Sequence, residues 1–313
     1  MGVNTTSTIM MIRPVQFRLN EQTAVNNYYQ KALEGITPEN VQERALAEFD
    51  GFVQKLRDHE VEVLVVKDTP EPSTPDSIFP NNWISFHDDG VIGLYPMYAE
   101  NRRLERRQDI IDDLDAFGYQ ITNIIDLSGA EEANRFLEGT GSLILDRGNQ
   151  IAYAAISERT HPDVIKDFES AFGYKVVSFV ANQDVNGKRL PIYHTNVMMA
   201  LGHEFAVICL DTIDNPAERK MVVDSLENSG KEVIEISENQ KAHFAGNMLQ
   251  VENKSGDRLM VMSAAAYDSL EEDQKTKILK YNKDIISSSL DTIEALGGGS
   301  ARCMMAEVFL PKK

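Results

Sequence analysis

Apolar and polar positions along this chain follow two alternating rhythms. In the first, short β-prone runs come in pairs around turn-forming residues: Trp83 to Phe86 and Val91 to Tyr95 flank Asp88-Asp89-Gly90, and Ser142 to Leu145 and Gln150 to Ala155 flank Asp146 to Asn149. Val197 to Leu201 and Phe205 to Leu210 flank Gly202-His203-Glu204, and Met248 to Val251 and Arg258 to Met262 flank Glu252 to Asp257. This spacing predicts hairpins. In the second rhythm, apolar residues recur with helical period and give way, past a glycine or polar break, to a β-branched run. Val41 to Arg57 leads into Val61 to Val66, Leu104 to Phe117 into Tyr119 to Ile125, and Pro162 to Phe172 into Tyr174 to Val180. Ala217 to Asn228 leads into Glu232 to Ile236, and Tyr267 to Tyr281 into Asp284 to Ser287.

These helix-to-strand units repeat every roughly 50 to 60 residues, near the period of stacked supersecondary units. Thr8 to Arg13 and Met304 to Leu310 are lone apolar strands at the two ends. Pairing them supplies a fifth strand pair, closes a ring and removes two exposed edges. The expectation is an α/β fold, a five-bladed pseudo-symmetric propeller formed by a single domain over residues 1–313. A conventional open α/β sheet explains the alternation but neither the hairpins nor the two orphan strands.

Composition narrows the partners. The chain has 313 residues, 42% of them hydrophobic and 26% charged, as in a soluble globular protein, and a net charge of -18. Nucleic acid and anionic membrane both call for a basic footprint, which this balance lacks. No apolar run has the length of a membrane span, and Met1 to Thr8 lacks the basic start and apolar core of an export signal. Two cysteines make no disulfide framework, which fits a reducing cytoplasm. The histidines His59, His87, His161, His194, His203 and His243 form no HxxxH pair and have no CxxC partner, so neither a metal nor another cofactor is expected. Self-association into a homo-oligomer stays open.

Candidate chemistry comes from the repeat. In a ring of equivalent units, residues just ahead of the first strand of each pair converge near the axis, and those positions hold Asn82, Glu138, His194, Asn247 and Cys303. A thiol, an imidazole and a carboxylate are a nucleophile, a proton shuttle and a group to fix substrate. Cys303 follows Gly297-Gly298-Gly299-Ser300-Ala301-Arg302, where glycines allow close backbone approach and Arg302 favours a thiolate. Cys209, inside the apolar run Val207-Ile208-Cys209-Leu210, reads as core.

The same residues carry a family resemblance. Gly297 to Met304 resembles the C-terminal cysteine motif of arginine deiminases, and Phe136-Leu137-Glu138-Gly139 and His194-Thr195-Asn196 resemble their acidic and histidine motifs. Nearly the whole chain resembles the guanidino-group modifying superfamily of arginine deiminases, dimethylarginine hydrolases and amidinotransferases, whose fold is a five-bladed α/β propeller. Its start, Ile12-Arg13-Pro14 through Asn20 to Ala24, most resembles a bacterial branch of citrulline-utilisation hydrolases. The resemblance implies Cys303 as nucleophile, His194 as general acid and base, and Glu138 as the carboxylate that holds the substrate's nitrogens. Similarity to dimethylarginine hydrolases further implies Asp76 for an α-amino group and Arg102 and Arg159 as a clamp on an α-carboxylate, an arrangement suited to a small amino-acid substrate. Sequence does not choose between Arg102 and the adjacent Arg103.

Arginine deiminases carry aspartates where this chain has Asn82 and Asn196, so only Glu138 keeps its charge. A buried guanidinium facing one carboxylate and two amides would be poorly neutralised. A ureido group is neutral, and its carbonyl oxygen can accept from an asparagine amide. The expectation is therefore hydrolysis of citrulline to ornithine, carbon dioxide and ammonia through a carbamoyl thioester on Cys303. Arginine or a modified arginine as substrate, and amidino transfer in place of hydrolysis, are the alternatives. A propeller that only binds is the reading outside enzymology.

Overall fold

The computed structural model describes residues 4–31, 35 and 37–313. Strand β1 (Thr8–Arg13) runs parallel to β2 (Glu62–Lys67), and the helix Pro38–Asp58 lies in the connection between them. Thr37 caps that helix by accepting the Asn40 amide, Pro38 occupies its first turn, and Ala45, Phe49, Phe52 and Leu56 form the buried stripe. The caps satisfy donors that a helix start leaves free, and each buried phenylalanine contributes roughly 1.5 to 3 kcal/mol.

The pattern recurs with an antiparallel strand placed ahead of the parallel pair. One sheet holds β3 (Ile84–Phe86), β4 (Val91–Leu94) and β5 (Asn123–Asp126), and the next β6 (Ile144–Asp146), β7 (Ile151–Ala155) and β8 (Lys175–Phe179). A small hairpin of β9 (Asn182–Val185) and β10 (Lys188–Pro191) follows. Then come β11 (Met199–Leu201), β12 (Phe205–Ile208) and β13 (Glu232–Glu235), and β14 (Leu249–Glu252), β15 (Arg258–Ser263) and β16 (Asp284–Ser288). Finally β17 (Ala306–Glu307) lies antiparallel to β1, with Ile9 opposite Glu307, which gives the first sheet the order β17-β1-β2. The described residues thus form an α/β fold with five three-stranded sheets and one two-stranded sheet.

Four expected elements differ in extent. The helix expected over Leu104 to Phe117 is Gln108–Ala116, with a separate turn at Glu100–Arg103. That expected over Tyr267 to Tyr281 is two helices, Ala264–Ser269 and Glu272–Leu279, because Glu271 and Gln274 form a capping box that starts a new one. The strand expected from Tyr119 to Ile125 begins only at Asn123. The one expected from Met304 to Leu310 shrinks to Ala306–Glu307, since Ala301–Met304 is wound into a tight helical turn. Cys209 is fully buried among Val207, Ile208 and Leu210, as the sequence reads.

Candidate active site

Four of the strand pairs are entered through a single helical turn: Pro80–Asn82 ahead of β3, Gly139–Ser142 ahead of β6, Thr195–Val197 ahead of β11 and Ala301–Met304 ahead of β17. Gly139–Ser142 packs against Pro80–Asn82 and Thr195–Val197, and Pro80–Asn82 packs against Ala301–Met304. The turns therefore bring Asn82, Glu138, His194, Asn196 and Cys303 together, and Asn247 joins them just ahead of β14. All six side chains are almost completely buried.

The thiol sits between amides. Asn247 Nδ2 lies 3.2 Å from Cys303 Sγ and donates to the Asn196 carbonyl at 2.9 Å, while its Oδ1 accepts the Arg302 amide at 3.0 Å. Asn196 Nδ2 is 3.4 Å from the same sulfur, and Asn196 Oδ1 is buried without a partner among the described residues. Two amide N–H groups are thus aimed at the sulfur.

Opposite the thiol, His194 Nε2 donates to Glu138 Oε2 at 2.6 Å. Glu138 Oε1 accepts the Tyr98 amide at 2.8 Å, and Arg159 Nη1 approaches Glu138 Oε2 at 3.5 Å. Burial would raise the Glu138 pKa, but the Arg159 guanidinium, the His194 hydrogen bond and Arg102 outweigh it and keep the carboxyl well below its ordinary range. His194 is pushed down to about 4 by burial, against Glu138 and with help from the two guanidinium groups. In the resting site Glu138 is ionised and His194 neutral. Glu138 is thus the histidine's orienting partner as well as the carboxylate expected to meet substrate.

Arg102 rather than Arg103 faces inward: Arg102 is buried, whereas Arg103 is directed to the Met97 carbonyl and Glu131. The expected two-pronged clamp is altered. Arg102 turns its fork to Glu105, with Nε and Nη2 each 2.9 Å from a carboxylate oxygen, while Nη1 donates to Asn82 Oδ1 at 2.7 Å. Arg159 gives Nε to Asn26 Oδ1 at 3.0 Å and Nη2 to the Thr23 carbonyl at 3.0 Å. Each guanidinium keeps only part of Nη1 for a ligand, because buried N–H groups in a closed site take internal acceptors. Asp76 Oδ2 accepts from Asn20 at 2.8 Å and Thr23 at 3.1 Å, while its Oδ1 is buried and unpartnered among the described residues.

A cavity of about 10 Å³ lies between Asp76, Arg102, Arg159, His194 and Cys303. The chain segment from Asn20 to Lys31 covers it: Asn27 Nδ2 donates to the Gly297 carbonyl at 3.3 Å and the Lys31 amide to the Ala295 carbonyl at 2.6 Å. Gly141 is required by space, since a Cβ there would stand 2.4 Å from Asn82 Nδ2 and 2.8 Å from His194 Nδ1.

Sequence reasoning missed Tyr193, whose hydroxyl donates to the Gly298 carbonyl at 2.6 Å and whose ring centroid lies 4.9 Å from the Arg159 guanidinium. It also missed Glu105 and the Asn20, Thr23 and Asn26 contacts. Adjacency to His194 was a usable signal for Tyr193; the covering contacts have none in a single sequence.

This assembly of a thiol, an imidazole and carboxylates on an α/β fold belongs to the guanidino-group modifying enzymes of the pentein superfamily, as the sequence motifs anticipated. The sequence pattern of the family described as N,N dimethylarginine dimethylhydrolase, eukaryotic, matches residues 13–310, and the chain belongs to that family of guanidino-group hydrolases. No curated protein sequence matches the chain. Among solved structures, the apo form of ArgZ, an arginine dihydrolase from the ornithine-ammonia cycle in cyanobacteria, aligns at TM-score 0.73 and 18% identity, covering 98% of this chain and 41% of ArgZ. The chain thus spans about two fifths of that protein, and it covers 99% of the ArgZ N-terminal domain crystallised with substrate, at TM-score 0.72 and 18% identity over 97% of this chain. A dimethylarginine dimethylaminohydrolase carrying an adduct with S-methyl-L-thiocitrulline aligns at TM-score 0.62 and 15% identity, covering 96% of this chain and 98% of that one. No helix among the described residues is long and apolar enough to cross a membrane.

Proposed function

We propose that the protein is a cysteine hydrolase acting on the ureido group of citrulline, with ornithine, carbon dioxide and ammonia as products. The observation that carries this reading is the orientation of Asn82. Its Oδ1 is occupied by Arg102 at 2.7 Å and one Nδ2 hydrogen by Asn81 Oδ1 at 3.1 Å, which leaves the second Nδ2 hydrogen as what it offers the site. A donor there suits a ureido oxygen and opposes a guanidinium N–H.

In this mechanism Cys303 Sγ attacks the ureido carbon, with the sulfur held by Asn196 and Asn247 and the developing oxyanion met by Asn82. His194, oriented by Glu138 and neutral at rest, takes up the Cys303 thiol proton as the sulfur attacks and passes it to the departing Nδ of ornithine, which leaves a carbamoyl thioester on Cys303. His194 next takes a proton from water, which adds to the thioester carbon and releases carbamate and the thiolate. Carbamate decays to carbon dioxide and ammonia. Asp76 receives the α-amino group, and the free Nη1 hydrogens of Arg102 and Arg159 meet the α-carboxylate. The five sheets close into a pseudo-symmetric propeller of one domain, and the free thiols Cys209 and Cys303 suit a reducing cytoplasm.

A second reading is supported by the fold shared with arginine dihydrolases. Two successive hydrolyses at the same sulfur would take arginine through citrulline to ornithine. The test supplies purified protein with citrulline, arginine and dimethylarginine separately and measures ornithine, citrulline and ammonia, with intact-mass detection of adducts in wild type and Cys303→Ser. Ornithine from citrulline supports the proposal; turnover of arginine to citrulline with citrulline left untouched overturns it.

A further inference from the structure

Behind the candidate active site, on the far side of Tyr193, lies an open cleft of about 720 Å³ bounded by the covering segment, the β9–β10 hairpin and the helix Asp291–Gly297. Lys241 forms part of its wall and is only 3% exposed. Among the described residues its ammonium has one hydrogen bond, to Gln183 Oε1 at 3.0 Å, and lies 5.6 Å from the Tyr29 ring centroid. Among the described residues no carboxylate lies within salt-bridge distance of it. Glu238, whose charge it senses, is taken by Arg189 at 2.6 Å, and the neighbouring Cys209 thiol is pushed up to about 12 by burial and is neutral.

In the same wall, among the described residues, Gln183 Nε2 and Tyr29 Oη are buried without partners. A buried cation and unsatisfied polar groups in one wall are unfavourable unless something answers them. Three N–H or O–H donors at one end of a cleft call for an acceptor bearing negative charge. The rim carries Asp184 and Asp291 beside Lys31, with Glu238 held by Arg189, and the two aspartates oppose a multiply charged anion and suit a cationic group on the same molecule.

We infer that this cleft is a second amino-acid site, in which Lys241, Gln183 and Tyr29 receive an α-carboxylate and the acidic rim receives an ammonium group. It is separate from the Cys303 site and does not rest on the proposed reaction. Occupancy reaches that site through Tyr29, whose ring meets Tyr193 edge-on with centroids 6.5 Å apart, and Tyr193 in turn is bonded to Gly298 at 2.6 Å. The ligand is therefore an effector that stabilises the covering segment in its closed position.

Titration calorimetry on the full chain tests this with L-ornithine, L-glutamate and acetate as probes at matched ionic strength, in wild type, Lys241→Gln, Gln183→Leu and Arg159→Ala. The expected result is an amino-acid isotherm that persists in Arg159→Ala and weakens at least tenfold in both Lys241→Gln and Gln183→Leu. If Lys241→Gln does not fold, Gln183→Leu retains the charge and gives the same discrimination. Isotherms unchanged in the cleft variants, or acetate binding as tightly as the amino acids, overturn the assignment.

Discussion

Ser300 donates its hydroxyl proton to the buried carboxyl of Glu294 at 2.5 Å, and the Ser300 carbonyl in turn accepts the Cys303 amide at 3.0 Å. The helix that precedes the glycine run therefore anchors the turn that carries the thiol. Glu294 is pushed up to about 7 by burial, with Asp291 and Glu48 adding to the shift and hydrogen bonds from Ser263 and Ser300 opposing it. A folded pKa above the ordinary 4.5 means that the native state binds the extra proton between those values, so stability declines as pH rises from about 4.5 through 7. Glu294→Gln removes that decline, on the order of 2 kcal/mol. Urea unfolding of both proteins at pH 5 and pH 8 reads it, and parallel pH dependences would refute the assignment.

His194 gives the opposite slope. Its folded pKa of about 4 lies below the ordinary 6.5, so the unfolded chain binds more protons and stability is lost as pH falls from 6.5 toward 4. Replacement by glutamine leaves no titrating group and flattens this part of the curve. Acid unfolding followed by circular dichroism compares the two; a wild-type slope equal to that of His194→Gln speaks against a neutral buried imidazole.

Asn82→Asp replaces the amide donor with a carboxylate beside Arg102. Citrulline turnover should fall about 10²-fold, as for loss of one oxyanion donor, while affinity for arginine rises. The measurement is kcat/KM for both substrates. An unchanged ratio would remove Asn82 from specificity.

Gly141→Ala pushes a methyl group into Asn82 and His194, and either the turn or the imidazole must move. Activity should fall roughly 10²-fold, the effect of an ångström-scale misplacement. Circular dichroism and unfolding checks that the protein still folds. Wild-type turnover in this variant would mean that the two side chains are not held as close as 3 Å from the Gly141 position, where their nearest atoms stand 2.4 and 2.8 Å from the added carbon.

Much of this was legible because the repeat is written in hydrophobic periodicity. The strand pairs, and with them the places of Asn82, Glu138, His194, Asn247 and Cys303, follow from turn residues between β-prone runs. The β9–β10 hairpin escaped because its strands, Asn182–Val185 and Lys188–Pro191, are too polar to show a buried face, although Asn186-Gly187 is a strong turn signal. Glu105 escaped for another reason: three residues past Arg102, it reads as a solvated helix charge, and only tertiary packing buries the pair. The helix break before Glu272 was visible as Glu271 and Gln274 in a capping box, but the apolar rhythm continues across it.

The cavity beside Cys303, about 10 Å³, has a consequence for the choice of acceptor. Such a space accommodates a single water. An amino acid enters only when the Asn20 to Lys31 segment lifts, and in the proposed reaction a Cys303 adduct left under the resettled segment is confined with a partner no larger than water. While the segment stays closed, a second amine, which group transfer would require, has no room. Volume alone would then make this site a hydrolase, with the covering segment acting as a sieve for the second nucleophile.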